Sequence, residues 1–111
     1  MKPGEIHFAD LDAGRRPAIV VSREHLNRGD YVVVVLCTSA DFESRSKLAN
    51  CVPFRAGEFG FTKDCVAQCE AILFMLKARL DPDLTGILDE TALRDVIRAI
   101  GFMLDADCEP V

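Results

Sequence analysis

Residues 14–39, GRRPAIVVSREHLNRGDYVVVVLCTS, decide the fold. Two stretches within them, residues 18–22 and 31–36, are rich in β-branched side chains and too short for helices, so each predicts a buried strand. The polar segment between them contains Asn27 and Gly29, residue types that suit a turn. The predicted centre of the molecule is therefore an antiparallel hairpin with an eight-residue loop.

The register of this hairpin brings two polar side chains together at one end of the sheet. If residues whose numbers sum to 54 face each other, Ala18 faces Leu36 and Arg16 faces Thr38. Neighbouring strands lie about 4.8 Å apart, so the side chains of Arg16 and Thr38 are expected to be neighbours. A guanidinium and a hydroxyl are hydrogen-bond donors that suit phosphate oxygens, so the pair predicts a phosphate-binding site.

Further donors accompany this pair in the sequence. The polar segment 39–50 is predicted to be a surface loop that brings hydroxyl and basic groups to the same end of the sheet. The additional candidate phosphate-binding residues are Arg15, Ser39, Arg45 and Lys47. The alternative interpretation is structural, with the arginines solvated or paired with Asp10 or Asp12.

The segments on either side of the hairpin extend the sheet. Residues 5–10 predict a short strand followed by a loop. Residues 51–54 predict another short strand, in which Pro53 favours an edge position. Residues 64–76 begin as a strand, and their second half either continues as a strand or turns helical.

A helix is predicted at the C-terminal end of the chain. Asp89 is placed to cap it by accepting a hydrogen bond from a backbone N–H. The apolar stripe that follows is formed by Leu93, Val96, Ile97, Ile100, Met103 and Leu104. Strands first and a helix last predict an α+β domain, mainly β, in which a small curled sheet carries the C-terminal helix.

The length and charge of the chain limit its class. A chain of 111 residues fits a single domain, residues 1–111, and no apolar run approaches the roughly 20 residues of a membrane span. The N-terminus lacks the apolar core of a secretion signal, so a cytoplasmic protein is expected. The net charge of −5 alone argues against a nucleic-acid partner, but residues 1–63 carry +1 and residues 64–111 carry −6. The N-terminal half can therefore present a local basic surface.

Five cysteines allow more than one interpretation. The odd number excludes complete disulfide pairing within one chain, and the absence of a Cys-x-x-Cys pair argues against a zinc ribbon or a thioredoxin-like site. Buried thiols in a reducing cytoplasm are the favoured interpretation, with a metal or redox pair as the alternative. The cysteines are Cys37, Cys51, Cys65, Cys69 and Cys108.

The order of five blocks resembles a known family. The blocks are KPGEIHFADLD, GRRPAIVVS, VVVVLCTS, GFTKDCVAQCE and LDETALRDVIRAIGFML, and they resemble the MazF/PemK-type toxins of bacterial toxin–antitoxin systems. The match runs over nearly the whole chain, and the Gly-Arg-Arg-Pro block followed by the Cys-Thr-Ser strand end is its most specific part. The resemblance implies an SH3-like curled sheet or barrel, as in CcdB and MazF, and a two-fold homodimer.

The resemblance also implies an activity and partners. Members of this family are metal-independent endoribonucleases that cut single-stranded RNA at short sequences. The 2′-hydroxyl attacks the phosphate and leaves a 2′,3′-cyclic phosphate. The family's catalytic arginine falls on Arg16 and its catalytic threonine on Thr38. No cofactor is implied, and the expected protein partner is a cognate antitoxin with a flexible acidic and apolar tail.

Two departures from the family pattern keep alternatives open. The loop before Arg15 is short, and the polar Gln-x-Arg-Thr-x-Asp-Lys segment of many members is replaced by EAILFMLK at residues 70–77. The apolar residues 71–76 therefore predict an additional dimer or partner contact. The alternative functions are a non-catalytic binding module with the toxin fold and a relative that poisons DNA gyrase.

Overall fold

Six antiparallel strands form one sheet in the computed structural model, which describes residues 1–106. Along the sheet, the strands follow the order β4, β5, β3, β2, β1, β6. The strands are β1 (Glu5–Leu11), β2 (Gly14–Val20), β3 (Tyr31–Thr38), β4 (Cys51–Phe54), β5 (Cys65–Leu76) and β6 (Gly86–Ile87). The helices are α1 (Phe42–Arg45) and α2 (Glu90–Met103), with short 3-10 turns at Glu24–Arg28 and Lys77–Arg79.

The predicted hairpin is present with the predicted register. Ala18 pairs with Leu36, and Val20 pairs with Val34. Strand β2 begins at Gly14, earlier than predicted, because it continues a tight hairpin with β1 in which Leu11 pairs with Gly14. Gly14 has a φ of +117°, a conformation that glycine adopts without a steric penalty.

The pairing of β3 with β5 contains a large irregularity. Val35 pairs with Ile72 and Cys37 pairs with Ala67, so β5 advances by five residues where β3 advances by two. The three extra residues of β5 form a bulge near its middle. The second half of β5 continues as a strand to Leu76, which settles the alternative between strand and helix.

Two buried clusters lie against the sheet. One contains Ile19, Val35 and Cys37 and includes the buried side of α2. The other contains Val20 and Val34, whose side chains alternate with those of the first cluster along the same strands. Both faces of the central strands are therefore covered, which explains their nearly continuous runs of apolar residues.

Helix α2 packs on β4 and β5 and begins at the predicted cap. The carboxylate of Asp89 accepts a hydrogen bond of 2.8 Å from the backbone N–H of Ala92. The predicted apolar stripe is partly wrong, because Ile97 and Leu104 are 45% and 62% exposed. Ala92 and Ala99 are buried instead, since small side chains allow the helix to approach the sheet closely.

The remaining predictions about the fold have mixed outcomes. The predicted α+β, mainly β architecture with a C-terminal helix is confirmed, and Pro53 lies on the edge strand β4 as expected. The segment 39–50, predicted to be a loop, contains α1. Within residues 1–106, no helix has the length and apolar character needed to cross a membrane.

Candidate active site

The guanidinium of Arg16 is held by two acceptors. Its Nε donates to the backbone carbonyl of Cys37 over 2.9 Å, and its Nη2 donates to Oε1 of Gln68 over 2.8 Å. The backbone pairing of β2 with β3 ends at Ala18 and Leu36, so the bond to Cys37 connects these two strands beyond their last backbone pair, and the bond to Gln68 connects β2 to β5. Arg16 therefore lies beside the end of β3, as the hairpin register predicts.

Thr38 ends β3 immediately after the carbonyl that Arg16 contacts. Because side chains alternate along strands and Ala18 faces Leu36, the side chains of Arg16 and Thr38 project to the same face of the sheet. Oγ1 of Thr38 accepts a hydrogen bond of 3.2 Å from the backbone N–H of Ala40. The hydroxyl proton is thus available to donate to a substrate oxygen.

Arg15 occupies a different environment from its neighbour. Its guanidinium carbon lies 5.1 Å from the centre of the Phe8 ring, a cation–π distance. Its Nη2 is 2.7 Å from Asp81 Oδ2, and its Nε is 3.3 Å from Asp10 Oδ1. The structural alternative, pairing with Asp10, is therefore present for Arg15, whereas the guanidinium of Arg16 is bound by neutral acceptors.

Asp81 connects Arg15 to a buried histidine. The backbone N–H of Asp83 and the guanidinium of Arg15 hold the pKa of Asp81 below its ordinary value. Nδ1 of His7 lies 2.9 Å from the backbone oxygen of Asp81, and Nε2 lies 3.0 Å from Oε1 of Glu5. The His7 ring therefore bridges Glu5 and the backbone of Asp81. The network fixes the position of Asp81 and, through it, of Arg15.

A cavity of about 230 Å³ opens at this end of the sheet. Its wall combines cationic, hydroxyl and aromatic side chains, which suit a phosphate next to a base ring. Polar residues of the wall are Arg15, Arg16, Thr38, Ser39, Thr62, Lys63 and Thr85. The arrangement can bind an anion and stabilise negative charge that develops on it.

The far wall of the cavity depends on a close approach of two backbone segments. Gly60 has a φ of +86°, and a Cβ there would lie 2.1 Å from the backbone oxygen of Thr85. A Cβ on Gly86 would lie 1.8 Å from the backbone oxygen of Phe59. Only glycine fits at both positions. The resulting contact between the backbone at residues 59–60 and the backbone at residues 85–86 holds residues 60–63 beside the arginines.

The segment 39–50 places the other predicted phosphate ligands. Ser39 lines the cavity and is exposed. Arg45 is half-buried on α1, and its Nε has no hydrogen-bond partner within residues 1–106. Lys47 is exposed after α1, and among the described residues neither it nor Arg45 belongs to the cavity wall. The structure thus brings Arg15, Arg16, Thr38 and Ser39 together and leaves Arg45 and Lys47 outside the cavity.

Two thiols lie in the cavity wall. A hydrogen bond to the Cys65 thiol and complete burial raise the pKa of Cys37, and the same hydrogen bond lowers the pKa of Cys65. Burial raises the pKa of Cys69 to about 12 and also raises the pKa of Cys51. The four cysteines are free and buried, as the favoured interpretation predicts, and Cys108 lies outside the described residues.

Sequence reasoning missed Gln68 and Lys63. Gln68 is a single polar residue in the segment CVAQC, between the buried residues Ala67 and Cys69. A polar side chain within a buried strand needs a hydrogen-bond partner, and this requirement could have marked Gln68 as a residue that contacts another polar side chain. Lys63 follows a turn in sequence, and no local pattern separates a cavity cation there from a solvated one.

Comparison with known proteins decides the family. A family model described as a PemK-like, MazF-like toxin of type II toxin–antitoxin system matches residues 2–104. The chain belongs to this toxin family. The resemblance found in the sequence blocks is thereby confirmed.

Relatives of this toxin extend the comparison. Endoribonuclease EndoA of Bacillus subtilis is 31% identical, over 81% of this chain and 83% of EndoA. The Mycobacterium tuberculosis toxin MazF-mt6 is 26% identical with a TM-score of 0.78, over 94% of this chain and 97% of that one. An endoribonuclease in complex with its cognate antitoxin from a mycobacterial species has a TM-score of 0.79 at 21% identity, over 95% of both chains. The predicted MazF-like fold is confirmed.

Proposed function

We propose that this single-domain toxin is a metal-independent endoribonuclease that cleaves single-stranded RNA at short sequences, with Arg16 and Thr38 as its catalytic residues. One observation carries the proposal: the two side chains project to one face at a cavity that also holds further cations and hydroxyls. The kinship with EndoA, which is named an endoribonuclease, supports the reaction class.

The reaction follows from the chemistry of RNA. The 2′-oxygen of a ribose attacks the adjacent phosphorus, and the bond from phosphorus to the 5′-oxygen breaks. The 2′-hydroxyl loses a proton and the departing 5′-oxygen gains one. The products are a 2′,3′-cyclic phosphate and a 5′-hydroxyl, and the proposed reaction requires no metal ion.

Arg16 and Thr38 act on the charge that develops during this step. A guanidinium has five N–H donors, and two of those of Arg16 are used by Cys37 and Gln68. The remaining donors can bind the non-bridging phosphate oxygens, and the Thr38 hydroxyl adds another donor. Such preorganised donors are worth more in the transition state than in the ground state because the phosphoryl charge increases there.

Binding of the flanking RNA uses residues around the catalytic pair. Arg15 and Ser39 belong to the cavity wall, and Arg45 and Lys47 follow on the segment 39–50. A basic strip on an otherwise acidic chain fits a polyanionic substrate.

The protein partners are a second copy of the chain and a cognate antitoxin. Phe74 is 72% exposed, and its ring stacks on that of Tyr31 with centroids 4.6 Å apart. Leu76 pairs with Tyr31 and is exposed on the same face, so an apolar patch occupies the end of β5 away from the cavity. Burial of this patch in a two-fold homodimer explains why Phe74 and Leu76 are apolar although they are exposed in the single chain. The antitoxin covers the RNA site in the cytoplasm, where the substrate is found.

The proposal is tested by RNA cleavage in the presence of EDTA. Wild type, Arg16→Ala and Arg94→Ala are compared on several long RNAs, and the product ends are mapped. Arg94 is exposed on α2 and pairs with Glu90, so its substitution makes the same change in charge away from the cavity. Loss of an oxyanion-stabilising donor costs about 10²–10³ in rate, so Arg16→Ala should lose cleavage by at least that factor while Arg94→Ala retains it.

Three other results of this experiment would contradict the proposal. Cleavage retained by Arg16→Ala removes Arg16 from its proposed role. Absence of cleavage by folded wild-type protein favours a binding module that keeps the toxin fold. DNA breaks that depend on gyrase, without RNA cleavage, favour the gyrase-poisoning alternative.

A further inference from the structure

Gln68 makes a contact that packing alone does not require. Its Oε1 accepts a hydrogen bond of 2.8 Å from Nη2 of Arg16, across the sheet from β2. Arg16 Nε is held at the same time by the carbonyl of Cys37, 2.9 Å away. Two acceptors at fixed positions define the plane of the guanidinium, whereas one acceptor leaves it free to rotate about the hydrogen bond.

The bulge in β5 explains how Gln68 reaches Arg16. Ala67 pairs with Cys37 of β3, and the register then breaks, so Gln68 keeps a backbone partner only on β4, where it faces Cys51. Because its neighbours Ala67 and Cys69 belong to the cluster under α2, alternation turns the Gln68 side chain to the other face. That is the face on which Arg16 projects.

We propose that Gln68 is a positioning residue that, together with the Cys37 carbonyl, fixes the guanidinium of Arg16 in the orientation needed for phosphoryl transfer. The inference rests on the proposed function and deepens it. Gln68 touches no reacting atom; it acts through Arg16 by removing rotational freedom before the substrate arrives. A neutral acceptor suits this role because it orients the guanidinium without cancelling the charge that must act on the phosphate.

Two substitutions at Gln68 distinguish the loss of the hydrogen bond that orients Arg16 from the addition of a negative charge beside it. Gln68→Met keeps the length of the side chain and removes the acceptor. Gln68→Glu keeps an acceptor and adds a negative charge beside Arg16. Glu70→Gln is the matched control, since it exchanges a carboxylate for an amide on the exposed side of the same strand. Thermal unfolding of each variant monitors its stability.

Kinetics are measured on a fluorophore–quencher oligoribonucleotide built around a site that the wild type cuts. Gln68→Met should lower kcat about tenfold with little change in KM, because the lost hydrogen bond to a charged group orients the transition-state donor. Gln68→Glu should be impaired at neutral pH and recover relative to wild type as the pH falls, because the protonated carboxyl is again a neutral acceptor. Glu70→Gln should match wild type at every pH.

A measurement without RNA tests the geometry itself. Rotation about the Cζ–Nη bonds of Arg16 is followed by ¹⁵N NMR, with the resonances assigned by Arg16→Lys. Rotation should be slower in wild type than in Gln68→Met. Equal rotation in the two proteins overturns the inference.

Kinetic outcomes distinguish this inference from the proposed function. An active wild type with an unchanged kcat in Gln68→Met overturns the positioning role alone. Loss of activity in Gln68→Glu that is the same at every pH also overturns it. An inactive wild type overturns the proposed function and with it the positioning role of Gln68 in phosphoryl transfer, whatever the NMR result.

Discussion

One end of the β3–β5 strand pair carries polar side chains, and the other end carries exposed apolar ones. At one end, where Thr38 pairs with Val66, the strands carry hydrogen-bonded polar groups beside the cavity; we call this the site end. At the other end, where Tyr31 pairs with Leu76, they carry exposed apolar side chains and a stacked aromatic pair; we call this the apolar end. One pair of strands therefore supports both a chemical site and a surface suited to association.

The bulge in β5 is what separates the two ends. Three extra residues on β5 shift its register against β3, so the half from Cys65 to Gln68 pairs with β4 and supports the site. The half from Ile72 to Leu76 pairs with β3 alone. Changes at one end should therefore leave the other intact, and the following predictions test that separation.

The largest expected effect is on the packing of the site end. Gly60→Ala places a Cβ in a left-handed conformation and 2.1 Å from the backbone oxygen of Thr85. The conformational strain and the overlap together should reduce the free energy of unfolding by about 3 kcal/mol. Denaturant unfolding measures this loss, and dimerisation of the folded fraction should be unchanged.

Gly57→Ala is the matched control for that prediction. Gly57 has a φ of +95°, but nothing lies within 4 Å of a Cβ built there. Its substitution should cost about 1 kcal/mol, the conformational part alone. Equal losses in the two variants would show that the approach of Gly60 to Thr85 is not what holds the cavity wall.

The next effect concerns the apolar end. Phe74→Ser removes the exposed ring that stacks on Tyr31 and should raise the dissociation constant of the proposed homodimer about tenfold, as expected for an aromatic interface contact. Sedimentation equilibrium over a range of concentrations measures it. Because Phe74 lies beyond the bulge, the stability of the monomer should change little.

Phe102→Ser is the control for the apolar end. Phe102 is 58% exposed on α2, so the same substitution removes a comparable ring from a different surface. Dimerisation that weakens in Phe102→Ser and not in Phe74→Ser would place the interface on α2. That result would remove the association role from residues 71–76.

The parts of the fold that local pattern controls were predictable from sequence. The hairpin register followed from two apolar runs, and the approach of Arg16 to Thr38 followed from the register. The position of Gln68 was not predictable, because alternation along a strand carries no information about a three-residue shift against its neighbour. The face of α2 was misassigned at Ile97 because a helix buries small residues where it approaches a sheet closely, whatever their hydrophobicity.

The smallest expected effect is a dependence of stability on pH that arises in the hydrogen-bonded network connecting Glu5, through His7 and Asp81, to Arg15. Burial alone raises the pKa of Glu5, but hydrogen bonds from His7 and the backbone N–H of Lys2 outweigh it and lower the pKa below the ordinary 4.5. A carboxyl with a lowered folded-state pKa stabilises the fold above its unfolded pKa, and this contribution is lost as the pH falls through the folded-state value. Glu5→Gln should therefore be less stable than wild type by under about 1 kcal/mol at neutral pH, and the difference should shrink as the pH falls through the folded-state pKa of Glu5.

Thermal unfolding from about pH 7 to about pH 3 measures this difference, since it spans the interval over which a lowered carboxyl pKa acts. Glu43→Gln is the control, because Glu43 is exposed on α1 and its substitution should leave the pH profile unchanged. The hydrogen-bonded network of Glu5, His7 and Asp81 leads to Arg15, whereas the stack of Phe74 on Tyr31 contains no charged group. The pH-dependent loss should therefore appear in unfolding and leave the dimer dissociation constant of the folded protein unaltered. A dissociation constant that follows the Glu5 titration would instead show that the two ends of the strand pair are coupled.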